Sequence, residues 1–342
     1  MGGVSTTPTA RERELLEAAR GGDEVAYARL VEPHSSELHA HCYRMLGSLH
    51  DAEDALQEAL LRAWRGLPRF EGRSSLRSWL YTIATNTCLN AIERRPKRVL
   101  PIDYGPAADP HTTPGEPLVE SVWVEPYPDD KLGLEDGFAG PEARFEQREG
   151  VELAFVAALQ HLPANQRAAL ILREVLGFSA REAAESLETT VASINSALQR
   201  ARSHLPADSD SLVQPSEQRQ RELLDRYVAA FQKADVDELV AVLTEDARYE
   251  MPPFITWFDG SAAISAFLGS RMRGFGKTPV ICTSANGQPA VALYPATADG
   301  QHRLHALHVL TIAPHGVGRI VAFMDVDGLA RFDLPRVLPT QR

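Results

Sequence analysis

Apolar residues recur at helical spacing through the first hundred positions. Between Ala52 and Trp64, the residues Ala52, Ala55, Leu56, Ala59, Leu60, Ala63 and Trp64 repeat at i, i+3, i+4 and i+7, which lays them along one face of an amphipathic helix. Comparable patterns predict helices near Glu12–Arg20, Val25–Leu46 and Ser74–Arg95. Pro68 and Gly72 separate the third helix from the fourth, since proline removes a backbone donor and glycine stops a helix readily.

The pattern breaks over residues 99–141. Seven prolines between Pro101 and Pro128, scattered glycines and an acidic excess predict a linker without a packed core. Within it, Trp123-Val-Glu-Pro-Tyr-Pro carries side chains able to dock. Helical spacing returns over 142–205 and stops at a polar break. Beyond Glu217, helices near 217–233, 236–243 and 260–269 precede strand-like runs at Pro279–Ser284, Ala290–Pro295, Leu304–Ile312 and Arg319–Val326. Asn286-Gly287, Asp299-Gly300 and His315-Gly316 sit between the runs, as hairpin turns require. The expected architecture is multidomain: all-α helical modules at 11–98 and 142–205, the second a helix-turn-helix, and an α+β unit over 217–334 built on an antiparallel meander.

The helix-turn-helix is read from residues 177–205. Ser179 and Glu182 have the spacing of a capping box, which starts a helix by satisfying two orphan amides. Ala183, Ala184 and Leu187 give that helix a small apolar face, Glu188-Thr189 makes the turn, and Thr190 caps the next helix. On the second helix Ile194, Leu198, Ala201 and Leu205 share one stripe. The opposite face carries Ala192, Ser193, Ser196, Arg200 and Ser203. Short hydroxyls with one arginine suit close approach to a major groove, although a solvated helical hairpin would read the same.

The charge distribution qualifies that reading. A net charge of −11 over 342 residues argues against unaided DNA binding. Residues 1–100 hold 14 bases against 13 acids, whereas residues 101–150 hold 3 against 12. Most of the acidic excess therefore lies in the linker, and Arg69–Arg98 carries seven bases and two acids. Such a chain binds DNA best as part of a larger, more basic assembly. Cys42, Cys88 and Cys282 are too few and too scattered for a disulfide framework, and a polar Met1–Ala10 without an apolar run points to the cytoplasm. No run is long enough to span a membrane. His34, His39, His41 and Cys42 match no zinc spacing, and neither a metal nor a cofactor is expected.

Two motif sets then carry a resemblance. Leu162-Pro-Ala-Asn-Gln-Arg, Leu172-Arg-Glu-Val-Leu-Gly-Phe-Ser, Glu182-Ala-Ala and Ser193-Ile-Asn-Ser-Ala-Leu-Gln-Arg-Ala-Arg resemble region 4 of the extracytoplasmic-function sigma factors of the sigma-70 family. Asp51-Ala-Glu-Asp-Ala-Leu-Gln-Glu and Leu76-Arg-Ser-Trp-Leu-Tyr-Thr-Ile-Ala-Thr-Asn resemble region 2. The α+β unit is similar to the SnoaL-like, ketosteroid-isomerase-like cone domain that a subgroup of these factors appends. The resemblance implies a protein that binds core RNA polymerase, at the clamp helices of its largest subunit and at its flap, and directs initiation at promoter DNA.

It also implies roles for particular residues. Asp51, Asp54, Gln57, Glu58 and Leu61 would face polymerase. Arg69, Phe70, Arg73, Ser74, Asn86, Arg94 and Arg95 would hold the −10 element, with Asn86 the best base reader and Arg94 and Arg95 on phosphates. Trp79 reads as core. Thr190, Ser193, Ser196, Arg200 and Arg202 would face the −35 element. In the C-terminal unit the candidate polar groups are Tyr249, Glu250, Asp259, His305, His308 and Asp325. Strand alternation sends His305 and His308 to opposite faces, which denies them a dyad, and Asp325 would serve as a base only if buried. No catalytic residue is assigned. A small ligand in the C-terminal pocket stays open, as do two alternatives, a ligand-responsive helix-turn-helix repressor and a sigma factor fused to an active enzyme.

Overall fold

The computed structural model describes residues 10–118, 123–132, 150–204 and 215–339. The chain divides into two compact units, one from residues up to 98 and 130–206, the other from 99–129 and 207 onward. Leu205, residues 133–149 and most of the expected 206–215 break lie outside the described residues.

The first unit is helical. Helices α1 (Ala10–Arg20), α2 (Glu24–Leu46), α3 (Leu49–Gly66) and α4 (Leu76–Ile92) come from its first half. Asp23 caps α2 by accepting from Val25 N and Ala26 N, and Gly47 closes it at φ 68°, a left-handed conformation that glycine adopts without a Cβ clash. Ser48 then caps α3 by accepting from Asp51 N at 3.1 Å. The expected alanine stripe is the seam of this helix: Ala52, Ala55, Ala59 and Ala63 are buried where α3 packs on α2 and α4, small side chains permitting close approach.

Helices α5 (Leu153–Gln160), α6 (Ala164–Leu170), α7 (Ala180–Ser186) and α8 (Val191–His204) complete the unit. The capping box forms as expected, Ser179 N donating to Glu182 Oε2 at 2.8 Å and Glu182 N to Ser179 Oγ at 3.2 Å. Glu188 takes φ 49° in the turn, and Thr190 Oγ1 accepts from Ser193 N at 3.1 Å. Two buried arginines tie the early helices to the late ones. Arg44 Nε donates to the Gly150 carbonyl at 2.8 Å, and Arg167 donates to the Met45 carbonyl.

The second unit holds α9 (Glu217–Lys233), α10 (Val236–Val242) and α11 (Ser261–Phe275) with strands β1 (Leu243–Glu250), β2 (Trp257–Asp259), β3 (Val280–Ala285), β4 (Gln288–Leu293), β5 (Ala306–Ala313) and β6 (Gly316–Phe323). One mixed sheet runs β2-β1-β6-β5-β4-β3. The antiparallel meander is present in β3 to β6, with Asn286 and Gly287 both at positive φ (58° and 69°) in its first turn. Two strands were not expected. β1 pairs in parallel with β6, Tyr249 opposite Ile320, and β2 pairs antiparallel with β1.

The acidic, proline-rich stretch corrects its reading as a coreless linker. From residue 99 to 129 it lies in the second unit, with Val124 and Tyr127 fully buried and Trp123 8% exposed. Extended backbone with few donors suits proline, and two of the remaining amides are used to reach the strands and loops of the same unit. Ala108 N donates to the Trp257 carbonyl and Leu118 N to the Pro253 carbonyl, both at 2.8 Å. Among the described residues no helix is long and apolar enough to cross a membrane.

Candidate nucleic-acid interface and C-terminal cavity

Helix α8 has two faces. Ile194, Ala197, Leu198 and Ala201 are buried, whereas Thr190, Ser193, Ser196 and Arg200 are exposed together on the other side. Arg202 is exposed but tied to Glu174, with Nε to Oε1 at 2.9 Å, so it is engaged within the module.

On α3 the outward face carries Asp54, Gln57, Glu58 and Leu61, opposite the alanine seam. Leu61 is 50% exposed, a large apolar side chain in water. Glu58 pairs with Arg62 at 2.7 Å. Asp51 departs from its expected role. It is 5% exposed and bound by Arg98, Nη2 to Oδ2 at 2.6 Å, and by Arg95. A carboxylate buried between two guanidiniums holds the start of α3 and is not available to a partner.

The expected −10 residues separate in the same way. Arg69, Arg73, Ser74 and Arg94 are exposed, Asn86 is half-buried on α4, and Arg73 pairs with Glu71 at 3.1 Å. Phe70 is buried, with its ring 4.8 Å from that of Trp79. It packs the loop instead of offering a stacking face, and Trp79 is half-buried beneath it. Arg95 is committed to Asp51 and to Asp54 at 3.7 Å. Sequence reasoning passed over Arg77. Its guanidinium lies 4.8 Å from the Tyr81 ring centre and 5.4 Å from that of Phe178 and pairs with Glu37 at 3.0 Å. Thr82 and Ser186 share a 2.8 Å hydrogen bond beside it, joining α4 to α7. Burial pushes the Glu37 carboxyl up, but the His34 hydrogen bond and the Arg77 charge hold it below its ordinary value. The signal was available: Arg77 stands one helical turn before Tyr81.

The second unit encloses a cavity of about 310 Å³ between α11 and the sheet, lined mainly by apolar side chains. His308 is buried, with Nδ1 2.7 Å from Tyr227 Oη and Nε2 3.5 Å from Tyr249 Oη. Burial lowers its pKa to about 3, with a smaller push from His305, so the ring is neutral at pH 7. His305 also lines the cavity. The alternation argument fails because β5 begins at Ala306, leaving His305 outside the regular pleat. Asp325 is exposed, beyond the end of β6. Asp259 is exposed opposite Arg248, and Glu250, although fully buried, is paired with Arg319 at 2.6 Å. No carboxylate lines the cavity among the described residues.

The comparisons with known proteins follow this division. Residues 30–98 match the family described as Sigma-70 region 2, residues 152–205 match Sigma-70, region 4, and residues 224–323 match the SnoaL-like domain. The chain is 46% identical over 326 residues to the ECF RNA polymerase sigma factor SigG of Mycobacterium tuberculosis, covering 92% of this chain and 85% of the relative. It is 28% identical to the RNA polymerase sigma-H factor of Pseudomonas aeruginosa, over 60% of this chain and 95% of that one. Among solved structures, the extracytoplasmic function sigma factor SigJ of Mycobacterium tuberculosis matches with a TM-score of 0.59 at 19% identity, covering 89% of this chain and all of that one, a likeness of fold.

Proposed function

The chain belongs to the extracytoplasmic-function RNA polymerase sigma factors, which bind core polymerase and direct promoter-specific initiation, and we propose how its surfaces divide that work. The exposed face of α3 grips polymerase through Leu61, with Asp54, Gln57 and Glu58 as its polar rim. The loop Arg69–Ser74 and Asn86 on α4 engage the −10 element, with Arg94 on phosphate. Thr190, Ser193, Ser196 and Arg200 of α8 engage the −35 element. The C-terminal unit tunes these contacts, and its neutral His308 is held between Tyr227 and Tyr249. The protein works in the cytoplasm, where polymerase is.

One observation carries the polymerase contact. Leu61 stands half in water on the helix face opposite four buried alanines, with Asp54, Gln57 and Glu58 beside it, which supports an apolar contact within a polar rim. Competition binding to core polymerase tests it. Leu61→Asp should weaken binding about 10- to 30-fold with an unchanged melting temperature, and unchanged binding would contradict the assignment.

A further inference from the structure

The cavity of the second unit contains a cation without a counter-ion. Arg271 of α11 lines it and has no carboxylate partner among the described residues. Its guanidinium rests over the Phe267 ring, 3.5 Å from the ring centre, and Nη1 donates to the Phe267 carbonyl at 3.2 Å. Of the other arginines that reach inward, Arg77, Arg98 and Arg319 meet Glu37, Asp51 and Glu250, whereas Arg44 and Arg167 donate to backbone carbonyls. Arg271 is partly exposed, so its guanidinium is open to an anion that enters the cavity. Burial already lowers the Arg271 pKa, with an opposing influence from Tyr249 nearby.

The hydrogen-bond chain beside it sets the direction of a second donor. Tyr227 is fully buried, and His308 Nδ1 is its hydrogen-bond partner at 2.7 Å. A buried hydroxyl that only accepted would leave its proton unsatisfied, so Tyr227 donates and Nδ1 accepts. The imidazole proton then sits on Nε2, which faces Tyr249 Oη at 3.5 Å. Tyr249 Oη accepts on that side, and its own proton remains for an occupant. With both histidines neutral, burial lowering His305 as well as His308, Arg271 is the sole formal charge of the described lining. The remaining walls are apolar, with Phe231, Phe254 and Phe275 among them.

We propose that this cavity binds a planar, largely apolar small molecule bearing a single carboxylate, paired with Arg271 and hydrogen-bonded by Tyr249. The acidic stretch takes part. Pro114 lines the cavity, and the segment containing it is pinned on either side by the Ala108 and Leu118 amides. An occupant pressed against Pro114 therefore stabilises that strap. The proposal concerns the cavity alone, and its failure would leave polymerase binding and promoter-directed initiation untouched.

The test uses the full-length chain with 2-naphthoate and its neutral counterpart 2-naphthamide, by calorimetry. The carboxylate should bind at least tenfold more tightly than the amide. Arg271→Gln should abolish that preference while holding naphthamide affinity within about twofold, and Tyr249→Phe should weaken both probes about fivefold. Hydrogen exchange at the Ala108 and Leu118 amides should slow when 2-naphthoate is bound. Equal affinity for the two probes, no binding of either at millimolar concentration, an unchanged preference in Arg271→Gln, or unaltered exchange in the strap would each overturn the proposal. The comparison of probes on the unaltered chain decides the matter even if a variant fails to fold.

Discussion

Tyr127 and Asn286 hold each other by two hydrogen bonds: Tyr127 N donates to Asn286 Oδ1 at 2.9 Å, and Asn286 N donates to the Tyr127 carbonyl at 2.8 Å. Both residues are fully buried. Asn286 sits in the turn between β3 and β4 at φ 58°, and Asp129 adds a third bond by accepting from Gly287 N at 2.8 Å. A hairpin turn thus fastens the end of a proline-rich segment whose described residues include a 3-10 turn at Pro101–Asp103. Asn286→Gly keeps the backbone geometry and removes the side-chain acceptor, leaving the Tyr127 amide buried and unpaired. It should cost about 1–3 kcal/mol of stability, measured by denaturant unfolding, with faster hydrogen exchange at Tyr127. No change in either would mean that the strap is held elsewhere.

Asp51 and Asp54 stand one turn apart on α3 but should behave differently. Asp51→Asn removes the buried carboxylate that Arg95 and Arg98 share, and the first unit should lose about 3–5 kcal/mol. Asp54→Asn, on the exposed face, should alter stability by less than about 0.5 kcal/mol and weaken polymerase binding instead. Thermal unfolding of both variants, set beside their affinity for core polymerase, separates the two roles.

On α8, Arg200→Ala should reduce initiation at a −35-dependent promoter by about 5- to 150-fold, the 1–3 kcal/mol of a good base contact, without changing affinity for core polymerase. Arg202→Ala, whose guanidinium is occupied by Glu174, should reduce initiation by less than about twofold. Equal losses from both would place the DNA-facing side of the helix elsewhere.

The neutral His308 makes the second unit sensitive to acid. Its pKa is lowered from 6.5 to about 3 in the fold, so the unfolded chain takes up a proton that the folded chain refuses. Stability is complete above pH 6.5 and falls by roughly 1 kcal/mol per pH unit as pH drops from there toward 3. Replacing the imidazole in His308→Gln should flatten that part of the profile, as read by calorimetric scans between pH 7 and 5. An identical slope in both proteins would show the proton going to other groups.

Much of this was readable from residue patterns, for reasons that lie in particular residues. The alanine stripe of α3, the Ser179–Glu182 capping box and the Thr190 cap are local features, decided by neighbours within a turn of helix, and each took its expected form. β1 was missed because adjacent Glu245 and Asp246 break the apolar–polar alternation of Leu243-Thr-Glu-Asp-Ala-Arg-Tyr-Glu, and its parallel partner β6 lies some seventy residues away. Asp51, Phe70 and Arg95 have the residue types of contact groups. Their actual partners, Arg98, Trp79 and Asp51, come from different helices or loops, and only the tertiary fold brings them together. The strap was misread for a similar reason: prolines forbid helices, but they do not forbid docking. Nothing local marks Arg271 among helix cations; its seat over the Phe267 ring in the cavity wall comes from the tertiary fold.

Run-off transcription with purified core polymerase tests the central reading most directly. Core alone, core with the full chain, and core with the chain carrying Leu61→Asp would be compared on fragments selected for binding by the full complex. Defined transcripts should appear only with the full chain and fall at least tenfold with the variant. If core with the full chain starts no RNA at any selected site, or starts equally well with the substituted helix, the account of α3 and α8 as polymerase and promoter surfaces is contradicted.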